Sequence, residues 1–471
     1  MKRTRSSRGL VWLSVATVGL TLLSACSSGS KTTASSTPSV ASATNKIGGS
    51  INVLMVNNPQ MLELETLTAK NFTAQTGITV HFVTKVEQDM RDTASTEFAN
   101  QAGQYDVATL SNFEIPYYAK AGWLAPMTSI ANDPTFDQSD ILPSMSAALT
   151  VNNTVYGEPF YGESSFLMYR KDILTQLGIT MPSHPTWAQV AAAADKVTSS
   201  ESASGMKGIC LRGLPGWGDN LAPLTTVVNT MGGTWFDTDW KAQVNTGGFK
   251  TAANFYVDLI KKDGEPGAAT YSYPQCLAAI QGGKTAMWYD STAAAGSLEA
   301  ADSPVKGKIG YADAPTTLTK QAGWLYTWAW AIEKGSKNQA QADAFVDWAS
   351  SKAYEQLVMA DTTGKNGGPT NVPAGKRKST YLDATYLKSA SAFATEVSTA
   401  IANAPASDPG TQPRPYSGIQ FVGIPSFTGF GLTCAQDIAS AISGSESTDS
   451  ALNACEPIAQ TAGDAAKKAA N

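Results

Sequence analysis

Histidine is nearly missing: only His81 and His184 occur in 471 residues. A metal site built from several histidines is thereby excluded, and a Ser-His-Asp hydrolase is left with few options. Charge is scarce as well, at 15% of residues, and it leans acidic, with 34 Lys and Arg against 39 Asp and Glu. Four of the positive residues, Lys2, Arg3, Arg5 and Arg8, fall in the first 25 positions; without them the balance is 30 against 39, a formal −9. Phosphate backbones and anionic lipid demand clustered basic surface, so neither nucleic acid nor direct membrane adhesion suits the folded part. Past residue 25 no run is long and apolar enough to span a bilayer. Cysteine is sparse and never spaced as CxxC, which leaves zinc and dithiol chemistry without support. Gly282-Gly283-Lys284-Thr285 is not a phosphate loop, because the position that needs the first glycine holds Ala278. No repeat of fixed period is present.

What is there begins with an address. Residues 1–8 are basic, residues 9–23 are apolar or small, and Leu23-Ser24-Ala25-Cys26 follows. Residues 1–25 read as a secretory signal peptide. The last four resemble the bacterial lipobox, which makes Cys26 the expected lipidation site and 26–45 a polar, disordered tether rich in Ser, Thr and Ala. The expected location is the outer face of a bacterial cell membrane, held by lipid alone. In that oxidising compartment Cys210, Cys276, Cys434 and Cys455 allow three pairings, and proximity in the chain favours 210–276 and 434–455.

The mature chain, at roughly 100–200 residues per domain, is long enough for two or three domains. Ile51–Val56, Ile78–Val83 and Tyr105–Leu110 read as strands, separated by helical spacing over Met61–Gln75 and Glu87–Gln101, with Gly77 as a stop. This order predicts an α/β fold with a parallel sheet, whose ligands sit beyond the carboxyl ends of the strands. The loops after the first and third strands, carrying Asn57 and Gln60 and then Asn112 and Phe113, are thereby nominated. From Glu158 the texture turns aromatic. Strands are expected at Lys284–Asp290, Lys308–Ala312 and Gly323–Ile332, helices at Thr186–Ser199 and Gln339–Ser351, and a helical tail from Ala435.

Nine segments in order resemble one family. Among them are LPSMSAALTVNNTVYGEPFYGESSFLMYRKDIL (142–174), GICLRGLPGWGDN (208–220), GGKTAMWYDSTAAAG (282–296), GWLYTWAWAIEKGSKN (323–338) and PYSGIQFVGIPSF (415–427). They are similar to the extracellular solute-binding proteins of bacterial ABC importers, the maltose-binding-protein-like group, and within it to the sorbitol- and mannitol-type binders. Two positions depart from that subgroup: Ser426 and Gln275 stand where acids are expected. The resemblance implies a two-lobed periplasmic-binding-protein fold, each lobe a mostly parallel sheet flanked by helices. Lobe 1 would hold 46–162 and 312–365, lobe 2 would hold 163–311 and 366–471, and hinge crossings would lie near 161–164, 311–314 and 364–373. It also implies a polyol or sugar ligand, permease subunits as partners, a monomer, and no cofactor, metal or catalytic residue.

A polyol offers many hydroxyls and a few C–H faces. Buried carboxylates accept adjacent hydroxyls through charge-assisted bonds, and flat rings cover the C–H faces. Glu163, six residues before Tyr169, occupies the position that the family uses for a ligand-contacting acid. Asp290 ends a strand beside Trp288 and Tyr289, where it points into the cleft or caps the next helix. Arg212 and Trp217 flank a Gly/Pro turn, and Trp217 serves either stacking or core. Trp324 opens the GWLYTW strand at a crossing, whereas Trp328 and Trp330 read as packing. Arg377 either bonds ligand or pairs with an acid. A competing reading is a secreted glycoside hydrolase or lyase with Glu163 and Asp290 as its acid pair. A third, a surface adhesin, sits poorly with the β-α-β pattern.

Overall fold

The chain enters its first sheet with β1 (Ser50–Val56), whose apolar run is buried from Val53 onward. Asn58 caps the helix Pro59–Thr68 by accepting a hydrogen bond from the Met61 amide at 3.0 Å, with Pro59 preset in the first turn. That helix runs on through one π-turn and stops at Gly77, which takes the left-handed conformation. Then come β2 (Thr79–Lys85), the helix Glu87–Asn100 and β3 (Val107–Ser111). A short hairpin, β4 (Thr150–Val151) and β5 (Thr154–Val155), precedes β6 (Glu158–Glu163) and β7 (Ser165–Arg170). The remaining strands are β8 (Lys207–Cys210), β9 (Thr285–Ser291), β10 (Ile309–Asp313) and β11 (Tyr326–Ile332). The computed structural model describes residues 46–404 and 409–470; the signal peptide, Cys26 and the tether to residue 45 lie outside the described residues.

Two sheets result. The first has the order β2-β1-β3-β11-β6 and the second β10-β7-β9-β8. In the first, β11 alone runs against the other strands; in the second, β7 does. Helices cover both. The helix Gln339–Ser350 sets Phe345 against Trp330 at 5.7 Å and Phe72 at 5.6 Å, which closes the core of the first lobe. The helix Trp187–Ser200 in the second lobe begins with a reciprocal cap between Thr186 and Gln189. Among the described residues no helix is long and apolar enough to cross a membrane.

The first crossing between sheets is a single residue, Ser164, whose amide and carbonyl are both tied to Thr292. The second falls at 314–325, later than the 311–314 read from sequence, because Ala312 and Asp313 still pair with Leu167 and Phe166 of β7. The third region also shifts. Residues 374–377, expected in lobe 2, pack on the first lobe, where the Gly162 amide donates to the Ala374 carbonyl at 3.1 Å. A Cβ on Gly162 would collide with the Gly375 carbonyl, so glycine permits this close approach.

Disulfides join Cys210 to Cys276 and Cys434 to Cys455. The second staples the helix Phe427–Ser443 to the helix Thr448–Ala470 after a turn at Gly444. Closing a loop of this length restricts the unfolded chain by about 3 kcal/mol. Replacing Cys434 and Cys455 together by Ser should lower the unfolding free energy by about that amount in a denaturant titration. A loss under about 0.5 kcal/mol would show that helix packing alone holds the C-terminal pair.

Candidate functional site

A cavity of about 150 Å³ lies where the ends of β1, β6 and β9 face the strand β11 and the turn after β8. A space of this size admits a single small ligand. Its floor is built by alternation: Trp324, Tyr326 and Trp328 all line it at a spacing of two, the last two on β11.

Arg212 follows β8 at the start of a turn held by the Gly213 and Leu214 amides, both donating to the Tyr271 carbonyl at 2.9 Å. Its guanidinium is gripped by Asp290 in two-pronged fashion, at 2.7 and 2.6 Å. Asp290 is wholly buried and also accepts from the Trp288 indole at 3.0 Å. The other face of Arg212 reaches Glu87 of the first lobe at 3.4 Å and Asp219 at 3.7 Å. Glu87 and Arg91 sit one turn apart on the helix Glu87–Asn100 and pair at 2.8 Å. Arg91 further contacts Glu114 at 2.6 Å and the Tyr326 hydroxyl at 2.5 Å. These anchors present its flat faces to two indoles, Trp217 at 4.1 Å and Trp328 at 4.6 Å.

Glu163 closes β6 and lines the cavity, with the Ser291 hydroxyl donating to it at 2.5 Å. Burial pushes its carboxyl up to about 8, although the Ser291 bond and Arg212 pull the other way. Burial, and next Glu87, push Asp219 up to about 7 against the pull of Arg212. Around the same space the Trp217 and Trp324 indole nitrogens, the Tyr273 hydroxyl and the Gln420 side-chain oxygen are buried. None of the four finds a hydrogen-bond partner among the described residues. Such atoms are costly unless something polar meets them.

The structure thus brings Glu163, Arg212, Trp217, Trp324 and Asn57 to one cavity. Asp290 stands one contact behind it as the partner of Arg212, which removes the second free carboxyl that a hydrolase would use. Phe113 also lies behind the lining, packed on Trp217 at 4.7 Å and Phe421 at 4.8 Å. Asn112 is used up by the backbone, bonding the Leu325 carbonyl at 3.4 Å and the Thr327 amide at 3.2 Å. Gln60 reaches the Ala293 carbonyl at 3.4 Å in a neighbouring crevice. Arg377 must be corrected: it is fully buried in the first lobe, bonded to the Phe136 carbonyl at 3.0 Å and the Ser350 carbonyl at 3.2 Å, and paired with Asp140 at 3.4 Å. Trp328 lines the cavity and was read as packing, whereas Trp330 does pack in the core. Arg91, Glu87, Tyr326, Tyr273 and Gln420 were missed. The period of two along β11 was the available signal for Tyr326 and Trp328.

Three comparisons bear on this cavity. A mannitol-binding protein of Pseudomonas aeruginosa is 37% identical over 408 residues, covering 86% of this chain and 91% of that protein. An erythritol/L-threitol-binding protein of Mycolicibacterium smegmatis is 26% identical over 374 residues, covering 74% of this chain and 78% of the other. The crystal structure of an ABC transporter solute-binding protein from Agrobacterium vitis S4, with bound D-mannitol, superposes with a TM-score of 0.84. It shares 39% identity, over 90% of this chain and 99% of that one. These relatives are binding proteins and lend nothing to the hydrolase reading. Residues 58–356 match the family described as bacterial extracellular solute-binding protein, and this chain belongs to that family.

Proposed function

We propose that this protein captures an acyclic polyol, D-mannitol or a close alditol, between its lobes and delivers it to the permease of an ABC importer. The observation that carries the reading is the cavity itself. Acids and guanidinium groups lie there beside indole faces, and four buried polar atoms find no partner among the described residues. A hexitol supplies hydroxyls for the acids, the guanidinium groups and the unmet atoms, and C–H faces for the indoles. The likeness to a D-mannitol-bound protein across nine-tenths of the chain supports the same ligand class. No bond of the ligand is made or broken.

The proposed sequence of events is open cleft, ligand on the β11 floor, then closure about Ser164 and the 314–325 segment. The ligand shifts this equilibrium only by its differential affinity for the closed form. Glu87 and Arg91, reaching Arg212 and Trp217 across the cleft, are the contacts that closure would complete. Anchoring would run through lipid on Cys26, as the basic, apolar and lipobox segments imply, with the protein acting as a monomer.

A thermal-shift screen of D-mannitol, sorbitol, xylitol, arabitol, glucose, maltose and inositol tests the ligand class. At a hundred times its dissociation constant a ligand adds about 2.7 kcal/mol of stability. D-Mannitol or a stereoisomer should raise the melting temperature, and silence across all alditols overturns the assignment. For Arg91→Lys the charge stays but the flat face between two indoles is lost, so ligand dissociation should speed up about tenfold with little change in association. Stopped-flow tryptophan fluorescence reads both rates, and an unchanged dissociation rate would remove Arg91 from closure. Cys26→Ser should move the protein from the membrane fraction to the medium, and continued retention on membranes would refute lipid anchoring.

A further inference from the structure

Among the described residues, every buried charge around the cavity has a partner of opposite sign except one. Two guanidinium groups, Arg91 and Arg212, serve Glu87, Glu114, Asp219 and Asp290, with separations from 2.6 to 3.7 Å. Among the described residues neither Lys nor His lines the cavity. Glu163 is the lining carboxyl left without a salt bridge among the described residues; its contact is the neutral Ser291 hydroxyl. The residue is 7% exposed, so water does little to stabilise its charge. The groups facing it from other elements do not supply the deficit. Arg212 favours its ionised form, while Asp290 and Glu87 oppose it. Tyr161 on its own strand and Tyr273 on the helix Tyr273–Gln281 are neutral neighbours. The partnerless Tyr273 hydroxyl and Gln420 oxygen, both buried on this cavity, add neutral hydrogen-bonding atoms.

A buried carboxyl in that position is satisfied in one of two ways. It takes up a proton when a neutral ligand closes the cleft, or it meets a cation carried by the ligand. We propose that the cleft accepts protonated amino-alditols alongside neutral polyols, with the Glu163 carboxylate as the partner of the ammonium group. This rests on reading the cavity as a polyol site, and it widens the ligand class to polyhydroxylated primary amines. An alkylammonium group is protonated through the neutral range and donates three hydrogen bonds, so it replaces both the proton and a hydroxyl donor.

The two ligands then differ in proton balance. Burial raises the Glu163 carboxyl to about 8; a closed cleft holding a neutral polyol would keep it protonated, and an open, hydrated cleft would return it toward the ordinary carboxylate value. The closed form binds the extra proton, so polyol affinity is full at low pH and falls as pH rises toward 8, by up to tenfold per unit. An ammonium ligand needs no such proton, and its affinity does not fall over that range.

The experiment is calorimetric titration of the purified full-length protein with D-mannitol and with 1-amino-1-deoxy-D-mannitol. It is run at pH 6, 7 and 8 in buffers of different ionisation enthalpy. The expected result is amine affinity within about tenfold of mannitol at pH 8, proton uptake with mannitol alone, and a ratio moving toward the amine by threefold or more from pH 6 to 8. In Glu163→Gln the proton uptake should vanish, and the amine should weaken at least tenfold relative to mannitol. Should that variant not fold, the wild-type uptake and ratio decide the matter. Normal mannitol binding with the amine a hundredfold weaker at pH 8 overturns the inference and leaves the polyol reading intact. Failure of both ligands overturns both.

Discussion

A buried guanidinium cannot be left half-paired, and Arg212 organises this protein around that constraint. Its two strong bonds to Asp290 fix it to β9 within the second lobe. Its remaining face points across the cleft to Glu87 on a helix of the first lobe. The arrangement ties one residue to both lobes. Removing the Asp290 side would strand a charge in the interior, at about 3–5 kcal/mol, whereas the Glu87 side is longer and wetter and is exchanged more cheaply. Arg91 mirrors it from the first lobe. It is held by Glu87, Glu114 and Tyr326 and offers its faces to indoles from each side of the cleft. Each lobe therefore carries a rigid cation whose unfinished contact lies on the other lobe.

The fold was legible where a local signal and the tertiary outcome agree. The first three strands alternate with capped helices. Gly77 marks the end of the first helix in sequence as it does in space. Glu163 and Trp324 could be named because the family resemblance implied hinge crossings beside them. The helix Leu221–Thr230 could not, since every residue of it is buried and an all-round buried helix has no polar face to set a period. Arg91 was hidden for a related reason. An acid and a base four residues apart on a helix normally mark a solvated face, and only β11 and the second lobe make this pair part of a cavity. Arg377 misled in the opposite direction. It was a candidate for the ligand, yet backbone carbonyls of the first lobe and Asp140 absorb its donors.

Selectivity in such a cleft is a question of what each polar atom loses when water leaves. A flexible alditol must freeze several rotatable bonds, which opposes binding unless every hydroxyl it brings is met. The indoles of Trp217 and Trp324, the Tyr273 hydroxyl and the Gln420 oxygen are buried whether or not they are met. Their desolvation is already spent in the closed form, so a ligand that reaches all of them recovers it, while one lacking a hydroxyl leaves an orphan on each side. This penalises missing hydroxyls more severely than it rewards extra ones.

The same reasoning sets a ceiling on how strong the contacts between the lobes should be. A latch worth several kcal/mol would close the cleft empty, and the ligand would then have no population left to shift. The pair across the cleft, Glu87 to Arg212 at 3.4 Å, is longer than the two-pronged pair at 2.6–2.7 Å that holds Arg212 in its own lobe. The strong bonds are spent on preorganising each lobe and the weaker ones on joining them. On the proposed function, closure would then depend on the cavity being filled, which is the property that would let a receptor present only its loaded form to a transporter.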